Sequence, residues 1–371
     1  MKIIADKNIP FLKGVVEQYG STEYLEGADF THQNIKDADA LIVRTVARFD
    51  EKNLRDTSIK LICSATIGYD HIDTDYCDAH NIEWRNAPGC NSSSVQQYVV
   101  SSLIILSMKY NFCLKDMTIG IVGVGNVGRK VAKACHILGM KVLLNDLPRQ
   151  KVEGDAEFVS LERIKQEADI ITFHTPLTME GEYRTLHLVD ERFFASLTKK
   201  PFIINSARGG IVKTDAMKTA IAEQKIKGAV IDCWEGEPQI DTEYMDMVDI
   251  ATPHIAGYSA DGKANATRMS LASIADFFNL DKSVISGIEA PQPPQPAIDL
   301  NDEVAENRIF SAILRTYNPM EDDAKLRENP ASFKRLRNEY PLRREYPAYN
   351  IGNATEKEAS ILNDLGFTLK A

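Results

Sequence analysis

Three short segments carry the side chains with chemistry to offer. "NSARGG" (205–210) holds Arg208, "DCWEGEP" (232–238) holds Asp232 and Glu237, and "ATPHIAGYSADG" (251–262) holds His254, one of seven histidines in 371 residues. An arginine grips a carboxylate in a two-pronged, charge-assisted pair. A histidine can take a hydroxyl proton as hydride leaves the same carbon, and a carboxylate on its other ring nitrogen fixes the tautomer and raises its basicity. Singly, each residue has a plainer use: a loop salt bridge for Arg208, a helix cap for Glu237, a structural donor for His254. Jointly, Arg208, Glu237 and His254 form the candidate catalytic set for oxidising a hydroxyl-bearing carbon beside a carboxylate.

Such chemistry needs a hydride acceptor, and the chain offers a place for one. "GIVGVGNVGRKVAKACHILGMKVLLND" contains Gly-x-Gly-x-x-Gly at Gly123, Gly125 and Gly128, after an apolar run and at the start of a helical pattern through Val127, Val131, Cys135 and Leu138. The first glycine permits a tight turn, the second lets backbone approach a pyrophosphate, and the third lets helix pack on strand. Gly123, Gly125, Asn126, Val127 and Gly128 therefore form the candidate dinucleotide loop, with a helix N-terminus aimed at the diphosphate. Asp146, 18 positions beyond Gly128, ends the next strand. Its carboxylate suits the adenosine ribose hydroxyls and repels a 2′-phosphate, so the cofactor reads as NAD rather than NADP, although Arg149 nearby weighs the other way.

The elements that must position these groups follow from apolar patterning. "KIIAD", "DALIVRT", "KLICSAT" and "IEWRNAP" read as strands buried on both faces. "TIGIVGV", "KVLLND", "DIITFHT", "PFIINSA", "KGAVIDCW" and "DIATPH" form a second series after a long buried helix in "NSSSVQQYVVSSLIILSMKY". Strands alternating with helical segments predict an α/β fold with two doubly wound parallel-sheet domains. The helical stretch near 257–281 is too short to be a domain, so it is assigned back to the first one. "EAPQPPQPAIDL" reads as a stiff linker, and beyond it "NRIFSAILRTY" and "ASILNDLGF" are amphipathic. A unit that small buries little by itself, which suggests packing on a second subunit. The expected boundaries are 1–95 with 257–285, then 96–256, then 286–371.

Composition excludes several classes. With 53 acidic against 43 basic residues and a net charge of −10, the chain repels nucleic acid and anionic membranes. No segment approaches the roughly 20 apolar residues of a membrane span, and the opening "MKIIADKNIP" is too short for a secretory signal. Cys63, Cys77, Cys90, Cys113, Cys135 and Cys233 lack Cys-x-x-Cys spacing, so they read as reduced thiols in a cytoplasmic protein. No His/Asp/Glu group has metal-ligand spacing along the chain, so no metal is expected.

The glycine loop, "HTPLT" (174–178), "NSARGG", "DCWEGEP" and "PHIAG", in that order, resemble the D-2-hydroxyacid dehydrogenase family. "PGCNSSSVQQYVVSSL", "TIGIVGVGNVGRK", "ADIITFHTPLT", "YRTLHL", "HIAGYSADGKA" and "RLRNEYPLRREY" look like the branch acting on a phosphorylated four-carbon sugar acid. The resemblance implies a flavodoxin-like substrate-binding domain, a Rossmann NAD domain and a small C-terminal α+β dimerisation domain in a homodimer. It implies NAD-dependent oxidation of 4-phospho-D-erythronate to 2-oxo-3-hydroxy-4-phosphobutanoate, in pyridoxal 5′-phosphate (vitamin B6) biosynthesis. Carried over by position, Arg208 and Glu237 are active-site residues and His254 is the acid/base. Asp146, Thr175, Asp232 and Gly257 contact NAD, and Ser206, Ala207 and Arg208 form the loop beside the nicotinamide. Thr45, Thr66 and Tyr258 fall where the family touches substrate. Thr45 stands where serine is frequent, Lys213 where aspartate is common, and Tyr69 where a smaller residue is usual.

The substrate's phosphate needs a cation. Arg44 beside Thr45, with Arg343 and Arg344 in "KRLRNEYPLRREY", are the candidates, against the reading of that run as a solvated basic face. Two other functions fit the same motifs: a related dehydrogenase, such as one acting on 3-phosphoglycerate, and a non-catalytic NAD-sensing protein of the corepressor type.

Overall fold

The computed structural model describes residues 1–154, 156–302 and 307–370. The chain forms two compact units, residues 1–91 with 259–291 and residues 92–258 with 292–371. In the first, strands β1 (Lys2–Asp6), β2 (Ser21–Leu25), β3 (Ala40–Val43), β4 (Leu61–Ser64) and β5 (Glu83–Arg85) form a parallel sheet in the order β2-β1-β3-β4-β5. Both β3 and β4 are buried along their whole length, as unbroken apolar runs require in a sheet covered on both faces. The sequence patterning did not mark β2: "STEYL" is an edge strand with no fully buried side chain, so it lacks the apolar run that identifies the others. One face of the sheet is covered by the helix Ala260–Phe278, which Ser259 caps by accepting from the Gly262 amide at 2.8 Å. Its Ala264, Leu271, Ile274 and Ala275 pack with Ile3, Ala5, Ile42, Leu61 and Cys63.

The second unit is built on six parallel strands: β6 (Thr118–Val122), β7 (Lys141–Asn145), β8 (Ile170–Phe173), β9 (Phe202–Asn205), β10 (Gly228–Ile231) and β11 (Ile250–Ala251), in the order β7-β6-β8-β9-β10-β11. The long helix Ser92–Tyr110 is buried over most of its length. The C-terminal segment adds helices Arg308–Thr316, Pro319–Glu328, Phe333–Asn338 and Glu356–Leu365. Its short parallel strands are β12 (Ala297–Asp299), β13 (Asn350–Gly352) and β14 (Thr368–Leu369). The end of the proline-rich stretch is thus β12.

This segment finds much of its burial inside its own chain. Ala312, Ile313, Tyr317 and Leu362 join Tyr98, Val99, Leu103 and Val131 in one core, while Leu326 and Phe333 join Ile231, Trp234 and Tyr244 in another. At about 1.5–3 kcal/mol for each large apolar side chain removed from water, these contacts anchor the segment to the nucleotide-loop unit. Among the described residues all six cysteines are unpaired, and no helix is long and apolar enough to cross a membrane.

Candidate active site

Strand β6 delivers the chain to the glycine loop, which opens the helix Asn126–Ile137. Gly123 sits at φ +90°, and a Cβ there would lie 2.7 Å from the Thr175 amide. A Cβ at Gly128 would lie 2.0 Å from the Gly123 carbonyl oxygen, whereas one at Gly125 would meet no protein atom within 4 Å. Two glycines therefore serve the protein's own packing. The third leaves clear ground before a helix N-terminus, where amides and dipole favour a diphosphate. Thr175 Oγ1 and Ser206 Oγ are buried hydroxyls with no partner among the described residues. Buried polar atoms ordinarily have partners, so these two fit contact with a bound ligand.

Asp146, at the end of β7, accepts from the amides of Val124 (2.8 Å) and Arg149 (3.1 Å). Arg149 is engaged by Glu153 (2.7 Å) and the Val124 carbonyl (2.7 Å), which ties its guanidinium into the loop's own frame. Asn205 is a site residue that the sequence reading did not assign. It is almost fully buried, its Nδ2 donates to the Arg208 carbonyl at 3.0 Å, and its Oδ1 accepts from the Ala207 amide at 3.2 Å, so it staples residues 206–208. The available signal was an amide closing an otherwise apolar strand, "FIIN". Arg208 donates to the Ala207 carbonyl at 2.8 Å and pairs with no carboxylate among the described residues.

His254 follows β11 with φ +56°, in the left-handed region. Its Nδ1 lies 2.8 Å from Glu237 Oε2, and Glu237 Oε1 accepts from the Trp234 amide at 2.7 Å. Burial opposes charge on Glu237, but His254, the Trp234 amide and Arg337 together outweigh it and hold its pKa below the ordinary carboxylate value. Glu237 is thus a carboxylate at neutral pH, and with Nδ1 engaged, Nε2 is the imidazole nitrogen left to exchange a proton.

The turn that holds His254 is fixed from below by Asp232. This buried carboxylate accepts from Thr252 Oγ1 (2.7 Å) and from the amides of Ile255 (2.8 Å) and Ala256 (3.0 Å). Burial raises its pKa in spite of these bonds. It is the same carboxylate that the family resemblance sets against NAD. Ligand atoms of Cys233, Glu237 and His254 lie within 4.8 Å of one another, a grouping that linear spacing could not reveal. The histidine–glutamate bond accounts for two of the three, and burial pushes the Cys233 thiol well above its ordinary pKa. Gly257 and Tyr258 follow, both half-buried.

In the first unit, Arg44 follows β3 and reaches Asp6 at the end of β1 through Nε (3.1 Å) and Nη2 (3.3 Å). Thr45 beside it is exposed. Thr66, just past β4, shares a hydrogen bond with Ser64 (2.6 Å) and donates to the Gly68 carbonyl (2.9 Å). All lie at the carboxyl edge of that sheet. Tyr69, exposed, packs on Trp84 with ring centroids 4.8 Å apart. Lys213 pairs with Glu191 at 2.6 Å.

The tail arginines are not on a solvated face. Arg343 is 6% and Arg344 8% exposed. The Arg343 guanidinium lies 4.2 Å from the Tyr317 ring centroid and donates to the Ala256 carbonyl (2.5 Å) and to Ser94. The Arg344 carbonyl accepts from Gln97 at 3.0 Å.

Two histidines outside the catalytic set make stability depend on pH. Burial lowers His71 below its ordinary value and pushes His174, which is bonded to Thr172 at 3.0 Å, down to about 3. Both are neutral when folded, so protonation in the unfolded chain favours unfolding as pH falls below 6.5. His174 alone is expected to cost about 1.4 kcal/mol at pH 5.5. Melting curves across pH 7.5 to 5 on the wild type and His174→Gln check this, with a shallower loss expected in the variant.

Residues 106–256 match the model of the D-isomer specific 2-hydroxyacid dehydrogenase NAD binding domain, and residues 290–366 match a domain of unknown function (DUF3410). The chain is 52% identical over 352 residues to the erythronate-4-phosphate dehydrogenase of Bacteroides thetaiotaomicron, covering 95% of this chain and 99% of the relative. It is 42% identical to that of Porphyromonas gingivalis, covering 99% and 100%. Among solved structures it resembles D-lactate dehydrogenase from Aquifex aeolicus complexed with NAD and lactic acid, at 25% identity and a TM-score of 0.60 over 79% of this chain and all of that one. D-2-hydroxyisocaproate dehydrogenase, at 22% identity and a TM-score of 0.62 over 75% and 97%, shares the fold. Given the glycine loop, the histidine–glutamate pair and near full-length identity at this level, the chain belongs to the erythronate-4-phosphate dehydrogenase family of NAD-binding D-2-hydroxyacid dehydrogenases.

Proposed function

We propose that this chain oxidises 4-phospho-D-erythronate at C2, giving 2-oxo-3-hydroxy-4-phosphobutanoate on the way to pyridoxal 5′-phosphate. The observation that carries this reading is the 2.8 Å bond between His254 Nδ1 and Glu237 in the unit that bears the glycine loop. Gly125, Thr175, Ser206 and Asp146 would hold NAD, which when bound takes the hydride from C2. Glu237 fixes the imidazole and steadies its positive charge, so that Nε2 of His254 accepts the C2 hydroxyl proton. Arg208 holds the substrate carboxylate as a bidentate partner, and Tyr258 offers a hydroxyl to the substrate.

In the first unit, Arg44, fixed by Asp6, is the proposed phosphate cation, and Thr45 and Thr66 offer hydroxyls. Arg343, engaged with the Ala256 carbonyl, is better used as a support than as a phosphate ligand. Unpaired cysteines support a reducing, cytoplasmic setting. A homodimer through residues 286–371 is the proposed assembly, on the likeness of the tail.

Purified chain assayed with NAD and 4-phosphoerythronate, 3-phosphoglycerate or D-lactate tests the reading, with and without an added 2-oxo acid as a sink for NADH. The first substrate is expected to lead D-lactate by about 10²–10⁴ in kcat/KM, the worth of two charged phosphate contacts. Equal rates on all three would reject the assignment, and NAD binding without turnover would point to the sensing protein instead.

A further inference from the structure

The C-terminal segment sends a second arginine toward the acid–base pair. Arg337 lies on the short helix Phe333–Asn338, anchored by the fully buried Phe333. Its Nη2 donates to the Tyr258 hydroxyl at 3.2 Å, its guanidinium lies 5.7 Å from that ring's centroid, and its Nη1 stands 3.9 Å from Glu237 Oε2. That oxygen is the one bonded to His254 Nδ1. Arg337 Nε is buried and has no partner among the described residues, so the polar contacts of the guanidinium among them are those with Tyr258 and Glu237.

From the same segment Arg343 takes the carbonyls of Ile255 (3.4 Å) and Ala256 (2.5 Å), while Asp232 takes the amides of the same two residues. The turn after His254 is therefore clamped on both its donors and its acceptors, with one jaw supplied by the tail.

We propose that Arg337 is a positioning residue of the acid–base site, bridging the Tyr258 hydroxyl and the Glu237 carboxylate that orients His254. The tail then serves proton transfer as well as the fold. The bridge sets two things. It holds the Tyr258 hydroxyl through the Nη2 bond, and it draws on the carboxylate charge that would otherwise act on His254 alone. Among the described residues, other charged or titratable groups near the pair include Asp232 and Cys233 after β10 and Arg208 after β9. On the tail side are Tyr340, edge-on to Tyr258 at 5.9 Å, and Asp322, bonded to Tyr340 at 2.6 Å. None of these joins Tyr258 to Glu237.

This inference rests on the functional reading above, and the test separates the two. Wild-type NADH formation from 4-phosphoerythronate examines that reading. The pH profile is taken on whichever 2-hydroxy acid the wild type turns over. Arg337→Met is expected to lower kcat roughly ten- to a hundredfold, with the NAD dissociation constant unchanged. Its acidic limb of kcat/KM should move up by about half to one pH unit, because the carboxylate now acts on the protonated imidazole uncontested. Arg337→Lys, which keeps the charge, should hold the limb in place while recovering part of kcat. Arg337→Gln replaces the methionine variant should the latter fail to fold. A rise in KM alone, with the limb unmoved, would make Arg337 a substrate grip and overturn the proposal. Wild-type kinetics in the methionine or glutamine variant would overturn it too.

Discussion

Replacing His254 by asparagine is expected to cut NADH formation by about 10²–10⁴-fold, the usual worth of a positioned general base, while NAD still binds. Asparagine is the appropriate replacement because residue 254 holds φ +56°, which asparagine adopts at little cost and most other side chains do not. The fold should survive: Asp232 and Arg343 fix the two residues that follow, and neither depends on the imidazole. Calorimetric titration with NAD beside steady-state turnover separates the two effects. A variant keeping a tenth or more of wild-type kcat would remove His254 from the proton transfer. A variant losing NAD affinity in step with turnover would make the turn part of the cofactor site.

Arg208→Met carries the second large effect. Two charged hydrogen bonds to a carboxylate, at about 1.5–3 kcal/mol each, predict a fall of roughly 10²–10⁴ in kcat/KM. The backbone of the loop should stay in place, since Asn205 and not the Arg208 side chain staples it. NAD affinity is therefore expected to remain within a few-fold. Arg208→Lys should recover little, because an ammonium cannot reproduce the planar fork. Near-normal kcat/KM in the methionine variant would place the carboxylate grip elsewhere.

The parts of the molecule legible in the sequence are those whose physics is local. A glycine whose Cβ would overlap the next turn must be glycine, so Gly123 and Gly128 announce themselves, and four-residue runs such as "ALIV" read as buried strands. Strand-end placement brought Arg208, Glu237 and His254 onto one list, and the last two do meet. What escaped depends on contacts distant in the chain. Arg343 reads as part of a charged run because its neighbours are charged. Only the fold shows that it lies under Ala256, beside a ring from residue 317. Strands β13 and β14, of three and two residues, carry no periodicity to detect. The backbone partners of Asp232 at 255 and 256 are likewise invisible without coordinates.

The interleaving of the two units has a consequence for how the molecule is made. The sheet begun by Lys2–Asp6 is closed on one face by the helix Ala260–Phe278, with Ile288 in the same core. A ribosome adding roughly 5–20 residues each second emits the first strand long before that helix exists. Five strands must then wait with a bare apolar face while the whole glycine-loop sheet is synthesised. The first unit is thus completed only after the six strands β6 to β11 of its neighbour have been made, and that interval is when the chain most needs a chaperone.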